Sequence, residues 1–154
     1  MTDLLVLIGT QTGNGELVAE HVAEALNARG VTCHLTDMAD AFPETLADFR
    51  HALVVMCTWS EGTPPDNAVD FLAALDDVGP DLSHLAYAQI ALGDRDYDPY
   101  FLTASLRLDE TLRRLGARAL LPMHELDGTP NQQHFAAAVA WAERLADALG
   151  QPAT

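Results

Sequence analysis

The sequence predicts an α/β protein built on a doubly wound parallel sheet. Apolar runs of strand length alternate with stretches of helical period along the whole chain. Several of these runs are apolar on both faces, as strands are when helices cover a parallel sheet on each side. The alternation makes about five β-α units within 154 residues, without an internal repeat or a linker. A sheet of that size takes the strand order 2-1-3-4-5, with helices on both faces as a three-layer sandwich.

The first apolar run is Asp3–Gly9. Glu16–Arg29 follows as a helix, because Val18, Val22 and Leu26 recur on one face and Gly30 supplies a stop. Val31–Thr36 is the second strand and Ala52–Thr58 the third. Asp66–Asp76 is helical, entered from Pro64-Pro65 with Asp66 as its cap. Ala86–Gly93 is the fourth strand, Phe101–Leu115 an amphipathic helix ended by Gly116, and the fifth strand falls within Ala117–Leu126. Gln132–Leu149 is an Ala-rich last helix. Residues 1–150 read as one domain, with 151–154 a short tail.

Composition narrows the function. The chain carries 23 acidic residues against 8 basic ones, a net charge of -15. All the basic residues are Arg, so Schiff-base chemistry on a lysine of this chain is excluded. Nucleic acid is not an expected partner, since phosphate neutralisation needs a basic face. An acidic surface suits docking to basic partners. No run approaches the ~20 apolar residues of a membrane helix, and the N-terminal run is too short for a secretory signal. Cys33 and Cys57 form no C-x-x-C motif; a reduced, cytoplasmic, monomeric protein is the expectation.

In a 2-1-3-4-5 sheet, ligands bind at the carboxyl ends of the strands, near the switch between strands 1 and 3. The loops after strands 1, 3 and 4 should therefore meet. They read "GTQTGN", "TWSEGTPPDN" and "GDRDYDPYF". The first leads into a helix N-terminus, where backbone N–H groups and the helix dipole favour an anion. Gly13 and Gly15 allow close approach, and Thr10, Gln11, Thr12 and Asn14 add neutral donors. The lysine of a P-loop is missing, and the glycines do not fit the dinucleotide fingerprint. Trp59 and Tyr97 each lie just past a strand end, so the two aromatics can flank one planar ring. A flat ring with a phosphate on a flexible tail describes FMN.

The stretches "GTQTGNGE", "TWSEGTPPDNA" and "ALGDRDYDPYF…LDETLRRLGA" resemble the three flavin loops of the flavodoxin-like family. "PDLSHLAYAQIALGDRDYD" is similar to the single-domain, MioC-type short-chain flavodoxins and to the FMN modules of diflavin reductases. The resemblance covers nearly the whole chain. It implies that Thr10, Gln11, Thr12, Gly13, Asn14 and Gly15 hold the FMN phosphate. It implies that Thr58, Trp59, Ser60, Glu61 and Gly62 line one face and edge of the flavin ring. Gly93, Asp94 and Tyr97 would supply the other side, Tyr97 stacked on the ring, with Tyr100 and Phe101 buttressing that loop. The implied partners are a flavoprotein reductase as electron donor and an electron-accepting enzyme, of iron–sulfur type, with no substrate site on this chain.

Three positions depart from the family pattern. Gly15 stands where a hydroxyl-bearing side chain is common. Pro99 reads as a one-residue insertion. Ser60 stands where Gly usually follows the aromatic; a positive-φ turn there costs a non-Gly residue roughly 1 kcal/mol or more. The neutral, one-electron-reduced flavin is therefore expected to be less stabilised than in a Gly-bearing relative, and Ser60→Gly should recover it in a redox titration.

Glu61, Asp66, Asp94, Asp96 and Asp98 fall on the flavin side. Each carboxylate ~10 Å from an anionic reduced flavin disfavours it by up to ~1.7 kcal/mol at an effective dielectric of ~20, less with solvent and salt. Low potentials are the expectation, with Arg95 opposing locally. Asp94, Asp96 and Asp98 do not begin a calcium loop, because Pro99 and Ser105 occupy its Gly and Glu positions. The histidines lack metal-ligand spacing, and no G-x-S-x-G elbow is present. The sequence leaves three readings: an FMN electron carrier, a flavin NAD(P)H–quinone reductase, and a non-redox interaction protein on the same scaffold.

Overall fold

The computed structural model describes residues 2–10, 13–58, 62–97 and 102–150, with the backbone alone at Tyr97. Among these residues the chain forms β1 (Thr2–Gly9), α1 (Asn14–Ala28), β2 (Val31–Asp37), α2 (Pro43–Ala47), β3 (His51–Cys57), α3 (Val69–Val78), β4 (Ala86–Gly93), α4 (Thr103–Arg114), β5 (Arg118–Ala119), β6 (His124–Asp127) and α5 (Gln132–Leu149). Short 3-10 turns occupy Met38–Asp40, Asp66–Ala68 and Arg95–Tyr97.

The sheet is parallel with the order β2-β1-β3-β4-β5, and β6 also pairs with β4. The alternation of side chains along each strand divides the core in two. Leu4, Val6 and Ile8 of β1, Leu53 and Val55 of β3, and Ala88, Ile90 and Leu92 of β4 pack against Val18, Val22 and Leu26 of α1 and Trp141 and Leu145 of α5. The neighbours of those residues, Leu5 and Leu7, Val54 and Met56, and Tyr87, face the other way onto Phe71 and Leu75 of α3 and Leu108 and Leu112 of α4. Central strands that feed two cores must be apolar at every position, which is why β1, β3 and β4 read as unbroken apolar runs.

Two expectations are corrected. The fifth strand, read as one stretch within Ala117–Leu126, is two short pieces that both lie along β4. Leu120 N still donates to Tyr87 O at 2.7 Å, but Pro122 has no N–H to give, and the strand resumes only at His124. Asp66 does not cap a helix. It begins a 3-10 turn, and α3 starts at Val69 with Ala68 as N-cap.

Candidate functional site

The register of the sheet brings the predicted loops to one edge. Gly9 of β1 lies beside Met56, Cys57 of β3 beside Leu92, and Gly93 of β4 beside Asp127 of β6. The chain leaving β1, β3 and β4 therefore starts from one row of residues at the carboxyl edge, at the point where strand order reverses. β1 can end so close to its neighbours only because Gly9 has no side chain: a Cβ there would lie 2.7 Å from Met38 Sδ and 3.1 Å from Met56 Cγ.

The first loop runs from Gly9 into α1. Gly13 is the N-cap at φ 87°, a left-handed conformation that favours glycine, and it has no side chain of its own to cap the helix. The Thr10 hydroxyl points inward and accepts from Gly13 N at 3.0 Å and Gly15 N at 3.3 Å. Gly15 is buried, and a Cβ on it would lie 3.3 Å from the Thr10 Cβ. Gly13 and Gly15 are thus drawn onto the Thr10 side chain at the positive end of a 15-residue helix. A hydroxyl that accepts both N–H groups keeps its own O–H to donate, which suits a compact anion at this helix end.

Behind it stands Asn67, which is not among the predicted site residues. Asn67 Oδ1 accepts from Thr10 N at 3.0 Å, while Asn67 Nδ2 donates to Ile8 O at 3.1 Å and to Asp37 Oδ1 at 2.9 Å. One amide therefore bolts the second loop to the ends of β1 and β2. Asp37 is held in turn, because the same Oδ1 accepts from Ala39 N at 2.8 Å.

In the second loop, Thr58 is buried and its hydroxyl accepts from Ala104 N at 3.2 Å, fixing the start of α4 against the end of β3. Thr58 N donates to Leu92 O at 2.8 Å. Gly62 is buried at φ 88°. Cys57 packs against the α1–α5 core, with its sulfur 3.9 Å from Thr10 Oγ1.

The third loop turns sharply. Asp94 Oδ1 accepts from Asp96 N at 2.9 Å, and Asp127 Oδ1 accepts from Arg95 N at 2.9 Å. The Arg95 guanidinium does not stand alone among the acids of the site: it lies 3.4 Å from Asp127 Oδ2 and 3.9 Å from Glu125 Oε1. The local opposition expected of Arg95 is therefore compensated by β6. On α4, Arg113 pairs with Asp109 and Arg114 with Asp76, as expected of a solvated helix face.

Of the predicted site residues, the structure brings Thr10, Gly13, Asn14, Gly15, Thr58, Gly62, Gly93 and Asp94 to this edge, with the backbone of Tyr97 in the 3-10 turn after Asp94. Gln11, Thr12, Trp59, Ser60, Glu61, Tyr100 and Phe101 lie outside the described residues, as do Asp98 and Pro99. Asn67 and Asp127 were missed. Asp127 carried one sequence signal, a polar side chain at the carboxyl end of a strand, whereas Asn67 lies ten residues past β3, at the far end of the second loop. Among the described residues no group of three or more His, Cys, Asp or Glu is placed to hold a metal ion, and no helix is long and apolar enough to cross a membrane.

Comparison with known proteins gives consistent results. The flavodoxin family model matches residues 6–141. The NADPH sulfite reductase flavoprotein alpha-component of Shewanella sp. strain MR-7 is 38% identical over 125 residues, 79% of this chain and 20% of that protein. The corresponding protein of Neisseria meningitidis serogroup C is 34% identical over 149 residues, 96% of this chain and 24% of that one. The chain thus spans about a fifth to a quarter of the length of these relatives. Among solved structures, a cysteine-to-serine mutant of a Pseudomonas aeruginosa flavodoxin superposes with a TM-score of 0.86 at 29% identity, covering 97% of this chain and all of that one. Oxidised flavodoxin 1 from Bacillus cereus superposes at 0.84 with 22% identity, over 95% of this chain and 98% of that one, and shares the fold.

Proposed function

Because the chain belongs to the flavodoxin family, with FMN-binding electron transfer as its function, we propose that it holds FMN between the loops that follow β1, β3 and β4. The observation that carries this is the tight cradle at Gly13–Gly15, set beside the ends of β3 and β4 at the switch point of the sheet. Bound FMN supplies the one- and two-electron chemistry. The residues of this chain bind and orient it.

In this reading Thr10, Gln11, Thr12, Gly13, Asn14 and Gly15 receive the phosphate. Thr58, Trp59, Ser60, Glu61 and Gly62 cover one face and edge of the ring; Gly93, Asp94 and Tyr97 cover the other, backed by Tyr100 and Phe101. Carboxylates around this edge, Asp66, Asp94, Asp96, Glu125 and Asp127 among them, repel added negative charge and favour low potentials. The same acidic rim docks basic faces of the donor, a flavoprotein reductase, and of the acceptor, an iron–sulfur enzyme. The sulfite reductase flavoproteins among its relatives support electron transfer to a partner enzyme. The chain acts as a carrier with no substrate site of its own, as a single domain over residues 1–150, monomeric and cytoplasmic.

Titration of the apoprotein with FMN tests this. Quenching of flavin fluorescence at one-to-one stoichiometry is expected. NADPH added alone should leave the bound flavin oxidised until a reductase is supplied. Absence of quenching would remove the electron-carrier function from this chain.

A further inference from the structure

We propose that Asp127 is the positioning residue of the third loop, acting through the backbone of Arg95 and without touching the cofactor. The proposal rests on the FMN reading above.

Gly93 and Asp127 are the last paired residues of β4 and β6, and Gly128 N closes that rung by donating to Gly93 O at 2.8 Å. Gly128 then turns away at φ 82°, so β6 offers no further carbonyl alongside β4. The Asp127 side chain replaces the missing rung. Its Oδ1 takes the Arg95 N–H at 2.9 Å, extending the hydrogen-bonded edge into the loop. Asp94 tightens the same turn by accepting from Asp96 N. Tyr97, whose ring the family resemblance assigns to the flavin, follows two residues after Arg95. Any loss of register at Arg95 passes directly to it.

Asp127 also faces the Arg95 guanidinium, 3.4 Å from Oδ2. Both side chains of that pair are about half exposed, at 63% and 45%, so its Coulombic part is weak. The hydrogen bond to the backbone is the contact that matters, because an N–H deprived of it leaves the turn without its outer anchor. The carboxylate's acceptor oxygen, and not its charge, does the positioning. Asn at this position keeps that oxygen; Ala does not.

The test compares Asp127→Asn with Asp127→Ala in the full chain. Two quantities are read: amide hydrogen exchange at Arg95 in the apoprotein, and the FMN dissociation constant from fluorescence quenching. Asp127→Ala should exchange at Arg95 about tenfold faster and bind FMN about tenfold more weakly, while Asp127→Asn stays within about threefold of the parent on both. Equal losses in the two variants would assign the effect to charge and overturn the proposal, as would two variants indistinguishable from the parent. The exchange measurement needs no FMN, so it decides the role of Asp127 even if the parent chain fails to bind flavin. Should Asp127→Ala melt below assay temperature, Asp127→Ser takes its place with the same expectations, its hydroxyl being too short to reach Arg95 N.

Discussion

The two edges of the sheet reach the site by different means. β2 runs beside β1 without a break, from Thr2 opposite Val31 to Ile8 opposite Asp37. The opposite edge is broken: β5 covers two residues of β4, and β6 resumes beside Ile90 only after Pro122. Each edge ends in an aspartate that secures a loop of the site. Asp37 receives Asn67 under a continuous ladder, and Asp127 receives a backbone N–H where the ladder has run out. A polar side chain at a strand end can therefore be a brace added to a finished edge or a substitute for the missing one. The number of groups it leaves unpaired when removed separates these roles.

Asn67→Ala should have the largest effect. It strands Thr10 N and Ile8 O, both beneath the first loop, and frees Asp37 from the second. A loss of about 2–3 kcal/mol in urea denaturation is expected, with FMN binding weakened at least tenfold. A variant as stable as the parent would show that the continuous β2 edge needs no brace. The Asp127 pair described above comes next, because it acts on affinity at the broken edge with little change in global stability.

Acid should act on the broken edge from its core side. His124 opens β6 and stacks on Trp141 of α5 with ring centroids 5.7 Å apart. Burial first, then Arg144, holds His124 below the ordinary histidine range. His51, at the start of β3, is lowered mainly by burial and then by Arg118 and Arg50. For both, the unfolded chain takes up the proton more readily. Their contribution is complete above about pH 6.5 and is lost as pH falls toward the lowered folded values. His124→Phe should flatten the decline of the urea midpoint between pH 7 and pH 5, with the slope due to His51 left in place. An unchanged slope would sink the assignment to His124.

The smallest effect is expected far from both edges. Arg29 pairs with Glu143 and Asp147 across α1 and α5, exposed to solvent. Arg29→Ala should leave the melting temperature unchanged within the resolution of a standard melt, at low salt as at high.

The sequence showed those parts of this arrangement that are set by local pattern. Ala86–Gly93 and Gln132–Leu149 stand where periodicity put them, because a two-faced apolar run and a long Ala-rich stretch each admit one structure. The strand ends from which the three loops start were legible for the same reason, each closing an unmistakable strand. The division of the fifth strand was not, since Leu120, Leu121 and Met123 around Pro122 give the stretch the look of one apolar run. Nor was α2, whose five residues are too few to show a period. The contacts that fix the loops join residues far apart in the chain, Thr10 to Asn67 across 57 positions and Arg95 to Asp127 across 32. Asn67 falls within the helical stretch Asp66–Asp76 by pattern, but its side chain is drawn back to β1, and the helix begins two residues later.

The inward turn of the Thr10 hydroxyl has a consequence for the timing of ligand capture. Gly13 N and Gly15 N are gathered onto one oxygen of the chain itself, so the backbone freedom of that turn is surrendered when the protein folds and not when the phosphate arrives. An arriving anion finds Thr10 and the Gly13–Gly15 backbone already ordered, so that part of the ordering cost does not fall on its association. Thr10→Val would return that freedom to the empty loop. The penalty should then appear as slower uptake of FMN in stopped-flow, even where the final complex is nearly as tight.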